Sequence, residues 1–303
     1  MSLFTGLAAF PITPADADGR VDAAALRRLV RRLADARVDG IGLLGSTGTY
    51  PFLSRAERRR AIEAAVDEAG GAVPVMAGVG ALRTDEAVAL AKDAKAAGAV
   101  AGLLAPVSYT PLLDEEVFVH FQTVAGESGL PICIYNNPGT THFSFSLELM
   151  ARLSAVPGVV GVKNGAPPAA EVAAHLAALR ARVPAGFSVG YSGDVNATEA
   201  MIAGGDVWHS VLGGLMPAPL LAIVRAAQAG DAAEARRLNA RLAPIWALFV
   251  EFTGLRVMYA AANALGITDA QPPRPILPLP EAAARKVAEA FLALSRDQTP
   301  AIR

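Results

Sequence analysis

Lys163 is the residue with the clearest chemical potential in this 303-residue sequence. Of the 27 basic residues only four are lysines, at positions 92, 95, 163 and 286, and the other 23 are arginines. Lys92, Lys95 and Lys286 lie on polar helical stretches, where they read as solvated cations. Lys163 instead follows the apolar run Val159-Val160-Gly161-Val162. A guanidinium stays protonated and cannot act as a nucleophile. A lysine amine, of unperturbed pKa about 10.4, frees its lone pair when desolvated. Such an amine adds to a ketone and expels water, and the resulting iminium is an electron sink that stabilises an enamine at the neighbouring carbon. Taken alone, Lys163 reads equally well as a lysine snorkelling from a strand end or paired with a carboxylate.

Other polar groups favour the reactive amine. Tyr135 and Asn136 end the apolar run that begins at Pro131, and Gly45-Ser46-Thr47-Gly48 ends another. A tyrosine can move protons during imine formation, and a Ser/Thr turn between glycines offers hydroxyls and backbone donors to a carboxylate. Gly-Ser-Thr-Gly is a weak motif by itself. It gains weight only if one scaffold brings all three segments to the same mouth.

The elements that would do so are short, nearly continuous apolar runs, as expected for parallel strands covered on both faces. They fall at 7–13, 40–46, 73–79, 102–107, 131–136, 159–163, 187–191 and 207–212. Helical stretches separate them, among them 22–36, 54–69, 84–97, 114–128 and 168–182. Ser54 and Glu57 fit a capping box at one helix start, and Gly70, Gly71 and Gly98 supply stops. Eight strand–helix alternations with short connections predict a closed (β/α)8 barrel of about 225 residues, 1–225, whose active face is the carboxyl end of the strands. A C-terminal helical extension, 226–303, follows as part of one functional unit. It is predicted as helix through 231–265, a proline-rich crossing at 271–280 and a last helix near 281–294, with fraying at 297–303.

Composition narrows the function. With 53% hydrophobic and 18% charged residues the chain can bury a large core, and a net charge of -1 predicts no nucleic-acid partner. One cysteine, Cys133, excludes an internal disulfide and reads as a buried strand residue in a reducing, cytoplasmic compartment. Residues 1–14 lack the basic start of a secretory signal, and no apolar stretch of about 20 residues predicts a membrane span. Four scattered histidines (120, 142, 175 and 209) do not suit a metal-dependent aldolase, and neither a Walker loop nor a strand-linked Gly-x-Gly-x-x-Gly predicts a nucleotide. No cofactor or metal is expected.

Several motifs together resemble the dihydrodipicolinate synthase/N-acetylneuraminate lyase family of class I aldolases. They are Phe10-Pro11-Ile12-Thr13-Pro14, Gly45-Ser46-Thr47-Gly48, Tyr135-Asn136-Asn137-Pro138, Gly161-Val162-Lys163, Ser192-Gly193-Asp194 and Gly204-Gly205 before Ser210-Val211. The resemblance covers nearly the whole chain. It implies that Lys163 forms an imine with pyruvate or a related 2-oxo acid, and that Tyr135 transfers the protons. It also implies that Ser46 and Thr47 hold the pyruvyl carboxylate, that Thr47 links Tyr135 to Tyr109, and that Tyr109 reaches a neighbouring subunit's site. Gly193 and the backbone around His209 would line the pocket, with Thr140 and His142 near the second substrate. A homotetramer built as a dimer of dimers is the implied assembly.

Departures bear on that second substrate. The family's synthase branch places an arginine where Thr140 stands, and a neutral hydroxyl cannot make a bidentate charge-assisted contact to a carboxylate. Thr49 and Asn164 each stand where glutamates are usual. The departures permit a less acidic or hydroxylated second substrate, such as a sugar-acid chain, or an aromatic aldehyde. Open readings are a synthase or aldolase joining a 2-oxo acid to an aldehyde, and a sugar-acid dehydratase or aldolase. A non-catalytic barrel that merely binds a 2-oxo acid is the rival from another class.

Overall fold

A computed structural model describes residues 4–297. Eight strands form: β1 (Gly6–Ala9), β2 (Gly40–Leu43), β3 (Val75–Gly78), β4 (Ala101–Leu104), β5 (Ile132–Asn136), β6 (Val159–Gly165), β7 (Ser188–Ser192) and β8 (Val207–Ser210). Each pairs in parallel with the next, and β8 pairs with β1, so the predicted barrel closes. The helices between them are α1 (Ala23–Asp35), α2 (Arg55–Ala69), α3 (Thr84–Ala96), α4 (Asp114–Ser128), α5 (Pro138–Thr141), α6 (Leu147–Ser154), α7 (Val172–Arg180), α8 (Asp194–Ile202) and α9 (Pro217–Gln228). The extension consists of α10 (Ala232–Ala240), α11 (Ala243–Phe252), α12 (Gly254–Ala264) and α13 (Glu281–Asp297). The expected fraying concerns a chain end that, from residue 298, lies outside the described residues.

Two packed layers result from the period-two alternation of each strand. Outward residues such as Ile134, Val162 and Val189 join one large core with the helices. Inward residues form a separate cluster that includes Ala8, Phe10, Met76, Leu103, Cys133 and Tyr135. The lumen is filled by matching large side chains to missing ones. A Cβ on Gly42 would overlap the Phe10 ring, and one on Gly190 would overlap the His209 imidazole. Cys133 is buried in this lumen as predicted, and burial pushes its thiol up to about 12.

Helix starts follow from side-chain acceptors for otherwise orphaned N–H groups. Asp22 caps α1 by accepting from the Ala25 N–H at 2.9 Å, and Ser54 caps α2 by accepting from Glu57 N–H at 3.3 Å. The predicted capping box is only half realised. Glu57 turns away from Ser54 and accepts from the Val21 N–H at 2.7 Å, which ties α2 to the chain entering α1. Residues 231–265, expected as one helix, are three. Pro244 opens α11 where its missing N–H is harmless, and the chain bends by 120° between α11 and α12. Thr253 sits at that bend with φ 67° and ψ 146°, a backbone region that a β-branched residue seldom enters. Among the described residues no single helix is long and apolar enough to cross a membrane.

Candidate active site

At the carboxyl ends of the strands lies a cavity of about 350 Å³ with Lys163 in its wall. The position of the lysine follows from the strand. Val162 faces the helices, so Gly161 and Lys163 face the lumen, and the register sets Lys163 directly beside Tyr135 of β5. The Lys163 side chain is 7% exposed, and its Nζ lies 4.2 Å from the centre of the Tyr135 ring and 5.4 Å from that of Phe10. Two π-faces thus stabilise a cation there without a carboxylate. Lys163 makes no ion pair among the described residues.

The phenol is oriented from two sides. Tyr135 Oη lies 2.8 Å from Ser46 Oγ and accepts from Asn137 Nδ2 at 3.0 Å. Burial alone would raise its pKa. The Lys163 charge and the Ser46, Asn137 and Thr140 side chains outweigh burial, so the phenol ionises below its ordinary 10. The other tyrosines that shift go upward: burial pushes Tyr50 and Tyr259 up to about 12. Tyr135 is therefore the tyrosine whose surroundings suit proton transfer.

Asp194 opens α8 beneath the same cavity and is fully buried. Its Oδ1 accepts from Trp208 Nε1 at 2.8 Å, and its Oδ2 accepts from Ser210 Oγ at 3.1 Å and the Leu212 N–H at 2.7 Å. Burial raises its pKa despite these donors. The carboxylate thus anchors the turn after β8 and has its oxygens occupied.

The expected site residues divide accordingly. Lys163, Tyr135, Ser46, Thr47 and Gly193 all line the cavity. Within it Ser46, rather than Thr47, bonds the phenol. Thr140 is exposed on α5 yet acts on Tyr135. His142 is exposed and ends α5 with φ 56°. His209 is buried beneath the cavity, edge-on to Phe10 at 5.6 Å between ring centres, so the imidazole packs the floor instead of the wall. Its pKa falls well below 6.5, through burial first and the Lys163 charge second. Tyr109 is 98% exposed and meets neither Thr47 nor Tyr135 within one chain. Sequence reasoning missed Phe10, Asn137 and Asp194 as wall residues, and Val211, Phe249, Gly254 and Leu255 as the cover contributed from beyond β8. Phe10, Asn137, Asp194 and Val211 stood inside motifs already quoted, whereas Phe249, Gly254 and Leu255 had no local signal. Among the described residues no group of three His, Cys, Asp or Glu side chains could hold a metal ion.

A buried amine beside an oriented phenol, at the catalytic face of a closed (β/α)8 barrel, defines a lyase of the class I aldolase type. Comparison with known proteins gives the family. The chain belongs to the dihydrodipicolinate synthetase family, whose profile matches residues 3–294. It is 39% identical over 270 residues to the 4-hydroxy-tetrahydrodipicolinate synthase of Thiobacillus denitrificans, covering 88% of each chain. To the synthase of Azoarcus sp. it is 36% identical over 281 residues, covering 92% of this chain and 94% of the relative. Among solved structures, dihydrodipicolinate synthase from Agrobacterium tumefaciens superposes with a TM-score of 0.94 at 58% identity, covering 96% of this chain and 98% of that one.

Proposed function

We propose that this protein is a pyruvate- or 2-oxo-acid-dependent lyase, an aldolase or synthase, that carries its substrate as a Schiff base on Lys163. The observation that carries the reading is the buried Nζ at 4.2 Å from the Tyr135 ring, beside a hydroxyl held by Ser46 and Asn137. In this reading the unprotonated amine attacks the keto carbon, and a proton delivered through Tyr135 turns the carbinolamine oxygen into departing water. The iminium then loses a proton from the neighbouring carbon to give an enamine. Ser46 and Thr47 hold the carboxylate of the 2-oxo acid at the β2 side of the cavity. Thr140 and His142, exposed on and just after α5, and Gly193 in the cavity wall would meet the aldehyde, or the chain of a sugar acid, as it enters. The covalent imine takes the place of any cofactor or metal.

The relatives are synthases, which favours condensation, in which the enamine carbon bonds to an aldehyde carbon and the aldehyde oxygen takes up a proton. Hydrolysis of the product iminium returns the free amine. Residues 1–225 and 226–303 act as one unit in this scheme, because Phe249 and Leu255 of the extension border the cavity of Lys163. We also propose a homotetramer, as a dimer of dimers. Tyr109, Leu113 and Leu82 stand 98%, 68% and 65% exposed on loops at the barrel mouth, where a second subunit would cover them. A buried, lone thiol suits the reducing cytoplasm, the location we propose.

The test is incubation with pyruvate and borohydride, followed by peptide mass spectrometry. A reduced pyruvyl adduct on Lys163, absent from Lys163→Met, is the expected result. No adduct, or one on another lysine, overturns the mechanism and favours a barrel that only binds.

A further inference from the structure

We propose that the second substrate is an uncharged aldehyde with an apolar substituent, seated against Val195, Val211, Phe249 and Leu255. The inference rests on the Schiff-base reading above and asks what the remainder of the cavity recognises. Ser46 and Thr47 occupy one side of Lys163, leaving the side formed after β7 and β8 and by the α11–α12 bend. Ser192, Gly193 and Asp194 line part of that side, and Ser192 Oγ and the Asp194 oxygens are engaged with the Asn164 carbonyl, Trp208, Ser210 and the Leu212 N–H. Val195, Val211, Phe249 and Leu255 supply its apolar part. Gly254 shows how closely they stand: a Cβ there would lie 3.4 Å from Val211 Cγ1 and 3.7 Å from the Phe249 ring. Val211 and Phe249 therefore flank one apolar recess at the bend.

Charge complementarity points the same way. Among the described residues lining the cavity, Lys163 is the one cation, and at the step that meets the aldehyde it is held as the uncharged enamine. Asp194 is the one carboxylate, and Trp208, Ser210 and the Leu212 N–H occupy its oxygens. An aldehyde carrying its own carboxylate would bring a charge into a recess with no partner for it, which is strongly unfavourable. A polyhydroxylated aldehyde would leave several hydroxyls facing methyl groups and an aromatic ring. An apolar substituent incurs neither penalty and gains by leaving water. The products would be 4-hydroxy-2-oxo acids: one carbon–carbon bond forms, the aldehyde π bond breaks, and its oxygen takes the proton released from the pyruvyl methyl.

The experiment measures kcat/KM with saturating pyruvate for benzaldehyde, glyceraldehyde and succinic semialdehyde, in the wild type, Phe249→Ala and Val195→Arg. Borohydride trapping with pyruvate runs alongside on each protein. The wild type is expected to favour benzaldehyde over both others by ~10-fold or more, the scale set by burying an apolar group of this size. Phe249→Ala should shrink that ratio by ~10-fold. Val195 is 40% exposed, so an arginine is tolerated there, and Val195→Arg should shift the ratio toward succinic semialdehyde by ~10-fold. Ratios between aldehydes cancel any change in pyruvate activation. An imine that forms while glyceraldehyde or succinic semialdehyde is preferred overturns this inference alone. Ratios unmoved by Phe249→Ala do the same. Absence of the imine overturns both readings.

Discussion

Replacing Tyr135 by phenylalanine separates chemistry from folding at this site. The ring that lies 4.2 Å from Lys163 Nζ is retained, and a single hydroxyl is removed. That hydroxyl meets Ser46 Oγ at 2.8 Å and Asn137 Nδ2 at 3.0 Å, and both partners are only half-buried, so water can replace it. The loss in stability is therefore about 1–2 kcal/mol, a shift of a few degrees in Tm. The kinetic loss is much larger. A positioned general acid–base contributes about 10²–10⁴-fold, or about 2.7–5.4 kcal/mol of barrier. The rate of borohydride-trappable imine formation should fall by that factor while the unfolding midpoint barely moves. A tyrosinate titration followed in the near ultraviolet supplies the electrostatic check. A phenol ionising below 10 in the wild type should be lost in Tyr135→Phe. In Lys163→Met its ionisation should shift upward, because burial then opposes ionisation with the hydrogen bonds but without the opposing charge. An imine rate within about threefold of wild type, or a phenol indifferent to Lys163→Met, refutes the proton-transfer role.

Two further outcomes follow from buried groups that the chemistry does not use. Asp194→Ala strips three donors of their acceptor and should lower the unfolding free energy in urea by about 3–5 kcal/mol, and a loss under about 1 kcal/mol would contradict the anchoring role. His209 is held neutral when folded, whereas the unfolded chain takes up a proton near 6.5. The His209 contribution to stability should therefore fall by up to about 1.4 kcal/mol per pH unit below that value until the depressed folded pKa is reached, on top of the contributions of His120 and His175, and an unchanged slope in His209→Gln refutes it.

The scaffold and the reactive pair were legible because each leaves a local trace. Eight apolar runs announce parallel strands, and a lysine among arginines at a strand end announces itself. Strand ends were less legible. The runs at 40–46 and 102–107 continue past ladders that stop at Leu43 and Leu104, because the chain turns there to build the mouth, with Leu44 at φ 56°. Phe10 was quoted within a motif, but its place in the wall depends on Gly42 and Gly45, more than thirty residues away, leaving room for the ring. The cover at Phe249 and Leu255 depends on the bend at Thr253, and an apolar helical pattern gives no sign of a 120° turn. Whether Ser46 or Thr47 meets the phenol is a matter of side-chain direction within one turn, below the reach of spacing.

Asp194 and Tyr135 stand in different relations to the Lys163 amine. A carboxylate in direct contact would hold an ammonium firmly, since an opposite charge at short range favours the charged form. Asp194 is close enough for the Lys163 charge to act on it, yet three donors from β8 and the turn after it fix its oxygens elsewhere. The group left beside the amine is Tyr135, a far weaker acid that can return a proton as readily as take one. Lys163 and Tyr135 share one cross-strand register position, so the barrel ladder itself sets their separation. The loop after β2, supplying Ser46, and the segment after β5, supplying Asn137, set the direction of the hydroxyl. In the proposed reading, proton transfer is thus set by strands and short turns, whereas the partner aldehyde is met by the segments after β7 and β8 together with the α11–α12 bend.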